Sequence, residues 1–382
     1  MAARIISIGT AVPSTRIAQE HVRDLFTAQP WADRLTGRLI HAAFDAAAIA
    51  SRHTVLTELG AEPATRDALF LGDDGLLLSP STATRNDLYI RLAPPLSAEA
   101  AQVALMDAGV TAASITHVVT VSCTGSFAPG PDYRLVRDLG LPATVERYHL
   151  GFIGCAAALP ALRLAARITA AQPEAVVLVV CTELCSLHIR ASADPQQIVA
   201  ASVFGDGAAA AVVTADDRCG REGGLELDAF GTAVTAEGEQ DMVWTIGDHG
   251  FEMILSAEVP RIIGREIRAA VSDFFRFDDE PAWAVHPGGR SVLDRVEQGL
   301  GLGATALDAS RAVLRDYGNM SSATVLFILR NLMADDAVGD GGRVAGLAFG
   351  PGLTVESALM TKRTAVGQRP GADREVLEAG HT

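Results

Sequence analysis

An α/β fold is predicted by three observations. Short runs of wholly apolar residues, each of strand length, recur along the chain. Alanine-rich stretches of helical length alternate with them. The chain has 382 residues, 49% of them hydrophobic and 20% charged, which supports a large core and excludes general disorder. Strands buried on both faces, interleaved with helices, define layered α/β architecture.

The elements follow in order. Ile5 to Ile8 is a short apolar strand that stops at Gly9, before the Pro13-Ser14 turn. Ser97 to Ala108 is predicted as a helix, with Ser97 as its cap and Glu99 in its first turn. His117 to Val121 is a buried strand, Ala156 to Ala171 an alanine-rich helix, and Ala175 to Cys181 and Ala208 to Val213 are further buried strands. Pro160 sits awkwardly in that helix and predicts a kink. The second half repeats the theme: a helix over Val259–Phe275, a strand over Ala282–Val285, a helix over Arg290–Leu300, a helix over Ala323–Leu332 and a strand over Val344–Phe349. Two similar halves are expected, residues 1–215 and 225–363, with the polar, glycine-bearing segment Asp216–Gly224 between them and a mobile polar tail over 364–382.

Charge and composition narrow the function classes. Acidic residues outnumber basic ones 46 to 31, for a net charge of −15, which argues against nucleic acid or an anionic membrane as the partner. No apolar run approaches the roughly 18 residues of a membrane span. No secretion signal follows Arg4, so a cytoplasmic protein is expected. The five cysteines, an odd number in a long chain, read as reduced thiols rather than a disulfide framework. Lys362 is the only lysine, a compositional bias with no functional content.

Three residues could do chemistry together. Cys155 lies in Gly151-Phe-Ile-Gly-Cys-Ala-Ala-Ala, two glycines before it and a helix after, where the positive helix end favours thiolate. His286 follows a buried strand that stops at Pro287 and two glycines, a common place for reactive groups in α/β folds. Asn319 follows Gly318 and precedes a Ser-Ser pair that opens a helix. Each has an ordinary alternative: a buried core cysteine, a structural histidine, a helix-capping asparagine.

Longer motifs bear on that choice. Gly-Cys at 154–155, Val-His-Pro-Gly-Gly at 285–289, Tyr-Gly-Asn-Met-Ser-Ser-Ala at 317–323 and Phe-Gly-Pro-Gly-Leu-Thr-Val-Glu at 349–356 resemble the type III polyketide synthases, the chalcone synthase-like family. Pro129-Gly-Pro-Asp-Tyr and Phe204-Gly-Asp-Gly-Ala are further matches, and the resemblance runs from about residue 5 to about residue 360. It implies a thiolase-like αβαβα five-layer core, a homodimer, and a bacterial member of the family. It also implies an enzyme that extends an acyl-CoA starter with malonyl-CoA, without cofactor or carrier protein, and cyclises the product. The family's catalytic Cys, His and Asn fall on Cys155, His286 and Asn319.

These residue types suit that chemistry. A thiolate accepts an acyl group from a thioester and later releases it, and His286 within reach would stabilise it. Expelling CO2 from malonyl-CoA builds negative charge on the thioester oxygen, which the His286 imidazole and the Asn319 amide could meet as donors. Aspartate at 319 would present only acceptors and repel that charge.

The resemblance also places a pocket. Phe204 and Met253 fall at gating positions. Cys123, Thr124, Cys185, His188 and Ser321 fall at lining positions, and Gly350, Pro351 and Gly352 form the loop beside the nucleophile. Ala128 replaces a methionine that crosses the dimer in plant enzymes. Arg52 is the retained basic residue expected at the CoA phosphates. These departures favour a non-plant starter, a fatty or short acyl-CoA giving a pyrone or resorcinol. Cys181-x3-Cys185-x2-His188 invites a metal reading, but no second ligand pair follows it, and no metal is expected. The competing readings are a ketoacyl-ACP synthase III-like condensing enzyme, a papain-like Cys-His-Asn hydrolase and an inactive acyl-binding protein.

Overall fold

The structure is a computed structural model that describes residues 2–60, 68–220, 222–272, 274–275 and 280–364. The expected tail lies outside them, apart from Thr364. Largely apolar sequence becomes buried strand. β1 (Arg4–Ala11), β4 (His117–Ser122), β6 (Val176–Leu184) and β7 (Asp206–Thr214) form the middle of one sheet, with β5 (Glu146–Gly151) at its edge. Every residue of β4, β6 and β7 is buried. Alternate residues serve opposite faces. Leu178, Val180, Ala210 and Val212 enter one core, whereas Val177, Val179, Ala209 and Ala211 enter another.

The second half supplies β8 (Gly224–Val234), β11 (Ala282–Val285), β12 (Arg343–Gly350) and β13 (Thr354–Arg363), in the order β11-β12-β13-β8. β8 meets β1 over only two residue pairs, so the nine-stranded sheet is continuous through a narrow seam. Three hydrophobic cores separate the layers. α5 (Ala158–Ala171) and α10 (Thr324–Ala334) lie in the middle, sharing one core with strands of both halves. α1 (Gln19–Thr27), α2 (Arg34–Ala46) and α3 (Thr82–Ala108) cover the outside of the first half. α7 (Val259–Val271) and α8 (Arg290–Leu300) cover the outside of the second, with α9 (Asp308–Tyr317) contributing to the same core. This is the expected thiolase-like αβαβα arrangement.

Two local expectations are corrected. Ser97 does not cap a helix: α3 starts fifteen residues earlier, with Ser81 accepting from Thr84 N. Pro94 and Pro95 are carried inside it, and Ser97 Oγ turns back to the Ala93 carbonyl at 2.8 Å. Pro160 forces no break either. α5 begins at Ala158, which puts Pro160 in the first turn, where a missing N–H costs nothing. Smaller elements frame the site: β2 (Thr15–Ala18) pairs with β3 (Ser51–Thr54), α4 (Pro131–Leu139) precedes β5, α6 (Pro195–Val203) leads to Phe204, and a separate hairpin is built from β9 (Met242–Gly247) and β10 (Gly250–Leu255).

Candidate active site

Cys155 lies on a single 3-10 turn, Gly154–Ala156, between β5 and α5. Gly154 has φ 71, and a Cβ there would stand 2.5 Å from Pro351 Cδ. Glycine at 154 therefore lets the 349–352 loop press against the cysteine's turn. The sulfur is buried. Burial pushes the thiol up to about 11, against smaller opposing hydrogen bonds from Ser321 and Asn319. Burial thus favours the neutral thiol, in opposition to the thiolate that the helix end was expected to favour.

His286 is placed by its backbone N–H, which donates to Leu347 O at 2.7 Å at the end of β11. The ring is 1% exposed, and neither Nδ1 nor Nε2 has a hydrogen-bond partner. Burial lowers it to about 3, so the imidazole is neutral. It does not hydrogen-bond Cys155, so the expected contact between imidazole and thiol is not made. Asn319 is held by its backbone, N to Val203 O at 2.8 Å and O from Gly205 N at 2.9 Å. Gly318 before it has φ 71 and packs on that same Val203 carbonyl. Asn319 Oδ1 accepts Ser321 N–H at 2.8 Å, a capping contact that fixes the amide orientation. Nδ2 donates to Gly288 O at 3.4 Å, and the amide also hydrogen-bonds the Cys155 thiol.

Cys155, His286 and Asn319 line one small chamber, together with Phe204, Met242 and Met253. Cys155, Phe204, Met242 and Met253 also line a larger cavity, so they stand at the junction of the two. With its mouth, the larger cavity encloses about 980 Å³ outside the protein atoms. Cys123, Thr124, Cys185, His188, Ser321 and Pro351 are on its wall. Gly350 and Gly352 are not; Gly350 packs against the Ile153 carbonyl instead.

Arg52 requires a correction. It touches the cavity but is 3% exposed. Its Nη1 donates to Ala201 O and Phe204 O, both at 2.7 Å, and its Nη2 donates to Gln19 Oε1. A guanidinium spent on internal carbonyls ties the end of α6 and Phe204 to β3, with only Nε left without a partner. The metal reading also finds no site. His188 Nε2 donates to Thr124 O at 2.8 Å, and its Nδ1 accepts Phe251 N–H at 3.0 Å, which fixes a neutral ring lowered by burial to about 3. Among the described residues no group of three metal-binding side chains occurs.

Two features escaped the sequence reading. Glu183 is fully buried behind Cys123, with burial raising its carboxyl above the usual range. It accepts from Ser322 Oγ at 2.6 Å, Thr124 Oγ1 at 2.9 Å, Cys123 N at 3.1 Å, Ser122 Oγ at 3.3 Å and Cys123 Sγ at 3.4 Å. Its signal was a lone acid at the end of a wholly apolar strand. The β9–β10 hairpin supplies Met242, Val243, Trp244, Phe251 and Met253 to the cavity. Alternation of large apolar residues at 242, 244 and 246 could have revealed it.

The layers and the Cys-His-Asn chamber define a thiolase-like condensing enzyme. Sequence comparison is more specific. Residues 1–217 match "Chalcone and stilbene synthases, N-terminal domain", and residues 221–364 match the C-terminal domain of the same family. The chain is 33% identical over 380 residues to the bisdemethoxycurcumin synthase of Oryza sativa subsp. japonica, covering 94% of this chain and 92% of that protein. It is 31% identical over 368 residues to "Probable polyketide synthase 1" of Dictyostelium discoideum, covering 93% of this chain but only 11% of that much longer protein. Among solved structures, PKS-I of the brown alga Ectocarpus siliculosus superposes with TM-score 0.88 at 28% identity, covering 94% of this chain and 98% of that one. The C-terminal type III domain of the Dictyostelium hybrid Steely1 gives 0.82 at 28% identity, covering 95% and 100%. The chain belongs to the chalcone and stilbene synthase family, the type III polyketide synthases, and is an acyl-CoA-dependent condensing enzyme, a transferase.

Proposed function

We propose that this enzyme joins malonyl-CoA units to an acyl-CoA starter by iterative decarboxylative Claisen condensation and closes the product to a pyrone or resorcinol. In loading, Cys155 Sγ attacks the starter carbonyl, the bond to the CoA sulfur breaks, and CoA leaves with the proton. His286 takes the thiol proton on the way, once the incoming thioester fills the chamber. In extension, malonyl-CoA loses CO2, and the electron pair left behind forms the enolate of acetyl-CoA. The enolate carbon attacks the acyl carbonyl on Cys155, a C–C bond forms, and Cys155 leaves as thiolate. His286 and Asn319 Nδ2 meet the negative charge on the thioester oxygen.

One observation supports this reading: beside a buried thiol, the buried His286 imidazole has no hydrogen-bond partner at either nitrogen. Native structures satisfy nearly all such groups, so unspent ones mark where a ligand's charge is met. No helix among the described residues is long and apolar enough to cross a membrane, in keeping with a cytoplasmic enzyme. The family's homodimer, with CoA thioesters as substrates and no cofactor, completes the proposal.

The test is incubation with acyl-CoA and malonyl-CoA, against the same acyl-CoA with malonyl-ACP, followed by mass spectrometry. Cyclised products of two or more extensions from malonyl-CoA are expected. A single extension that requires malonyl-ACP would instead identify a ketoacyl-ACP synthase.

A further inference from the structure

Phe204 and Asn319 both hang on the C-terminal end of α6. A helix leaves its last four carbonyls without intrahelical donors, and here each of them finds one. Ala200 O accepts from Phe204 N at 3.2 Å, and Val203 O accepts from Asn319 N at 2.8 Å. Ala201 O accepts from Arg52 Nη1 at 2.7 Å, and Ser202 O accepts from Gln19 Nε2 at 2.8 Å. Arg52 Nη1 also donates to Phe204 O at 2.7 Å, and Arg52 Nη2 donates to Gln19 Oε1. Gly205 N donates to Asn319 O, so Phe204 and Asn319 form an isolated parallel bridge. The stem of Arg52 packs at the same place. A Cβ added at Gly205 would stand 3.2 Å from Arg52 Cβ, and one added at Gly318 would stand 3.5 Å from it. Arg52 therefore abuts the glycines beside both residues. Burial lowers its guanidinium to about 10 against the opposing charge of Asp206, so it stays a cation at neutral pH. A cation suits the negative end of a helix.

We propose that Arg52 is a positioning residue for decarboxylation: through the end of α6 it sets where the Asn319 amide stands, and it is not the ligand of a CoA phosphate. The proposal rests on the role given to Asn319 above. Both hydrogens of Nη1 are spent on Ala201 O and Phe204 O. Nε is buried without a partner and is the point where a ligand would compete. Asn319 Oδ1 accepts from Ser321 N, so a shift of the Asn319 backbone turns the amide as well as moving it. A shift of about 1 Å in a catalytic group can cost on the order of 100-fold in rate. Lysine at 52 would keep the charge but lose the planar fork that meets two carbonyls and Gln19 together.

The test measures kcat and KM for CO2 release from carboxyl-labelled malonyl-CoA by the full-length enzyme. It also measures the yield of acyl adduct on Cys155 after mixing with a starter acyl-CoA. Arg52→Lys should lower kcat for CO2 release by on the order of 10- to 100-fold, with KM for malonyl-CoA and the adduct yield unchanged. Gln19→Met removes the Ser202 bond and Arg52's acceptor but leaves the Nη1 bonds. It guards against a variant that fails to fold and should lower kcat by a smaller factor. Because Arg52 acts through Asn319, Arg52→Lys should cost less in an Asn319→Ala background than in the parent. A raised KM with kcat unchanged overturns the proposal and makes Arg52 a CoA ligand. A fall of adduct yield and CO2 release in one proportion overturns it too, since that is loss of folded enzyme. So do additive effects in the double variant, or a folded Gln19→Met enzyme with the parent kcat. Asn319→Ala releasing CO2 at the parent rate would strike the role given to Asn319 itself, whereas loss in Asn319→Ala beside a normal Arg52→Lys strikes only the role of Arg52.

Discussion

Glu183 and His286 are both fully buried, both titratable and both beside the cavity, and their surroundings are opposite. Glu183 is saturated by five donors from the loop after β4 and the turn before α10. His286 has no partner at either nitrogen. A saturated buried group holds elements in place, because moving any one of them exposes an unmet charge. An unsaturated group costs stability in the free protein and is kept ready for a ligand. The difference separates scaffold from chemistry more sharply than burial does. Asp206, which accepts from Val55 N, Ser186 N and Ser186 Oγ, falls on Glu183's side.

Substitutions can break the contrast. His286→Ala should lower kcat/KM for condensation by on the order of 100-fold or more while leaving the melting temperature unchanged or raised, since no protein hydrogen bond is lost. Steady-state kinetics and calorimetry on one preparation check both. Asp206 should show the reverse pattern through pH. Burial raises its carboxyl from 3.8 to about 6. Folding is therefore favoured by the protonated form, and this contribution is fully present below pH 3.8 and lost as pH rises through 6. It amounts to about 3 kcal/mol. Denaturant unfolding should show Asp206→Asn gaining that much relative to the parent between pH 3.5 and pH 7; a constant difference would show that burial does not raise this carboxyl. Glu183→Gln should cost about 2 kcal/mol of stability, because one acceptor oxygen becomes a donor facing donors. Gly154→Ala should cost more than the roughly 1–2 kcal/mol of its positive φ, because the added Cβ would also stand 2.5 Å from Pro351 Cδ, and a thermal melt measures it.

Much of the fold was legible because its strands are apolar on both faces. The strands at 176–184 and 206–214 need no partner knowledge to be recognised. The β9–β10 hairpin was not legible in the same way, because its strands mix buried and exposed residues. β8 was missed because it mixes buried and exposed residues, and β13 because buried polar residues, Glu356, Ser357, Thr361 and Lys362, interrupt its apolar run. The residue types of the site could be read, since cysteine, histidine and asparagine each sit beside glycines. Their state could not. That the thiol is pushed up, the imidazole unpartnered and Arg52 turned inward depends on contacts from distant segments, such as the Ala201 and Phe204 carbonyls that occupy Arg52.

The division of labour proposed for Cys155, His286 and Asn319 is tested most directly in Asn319→Asp. The variant is mixed with a starter acyl-CoA and carboxyl-labelled malonyl-CoA, and the acyl adduct on Cys155 and the released CO2 are both quantified. The expected result is a normal adduct mass with CO2 release lowered at least 100-fold. Decarboxylation at the parent rate would contradict the role given to Asn319.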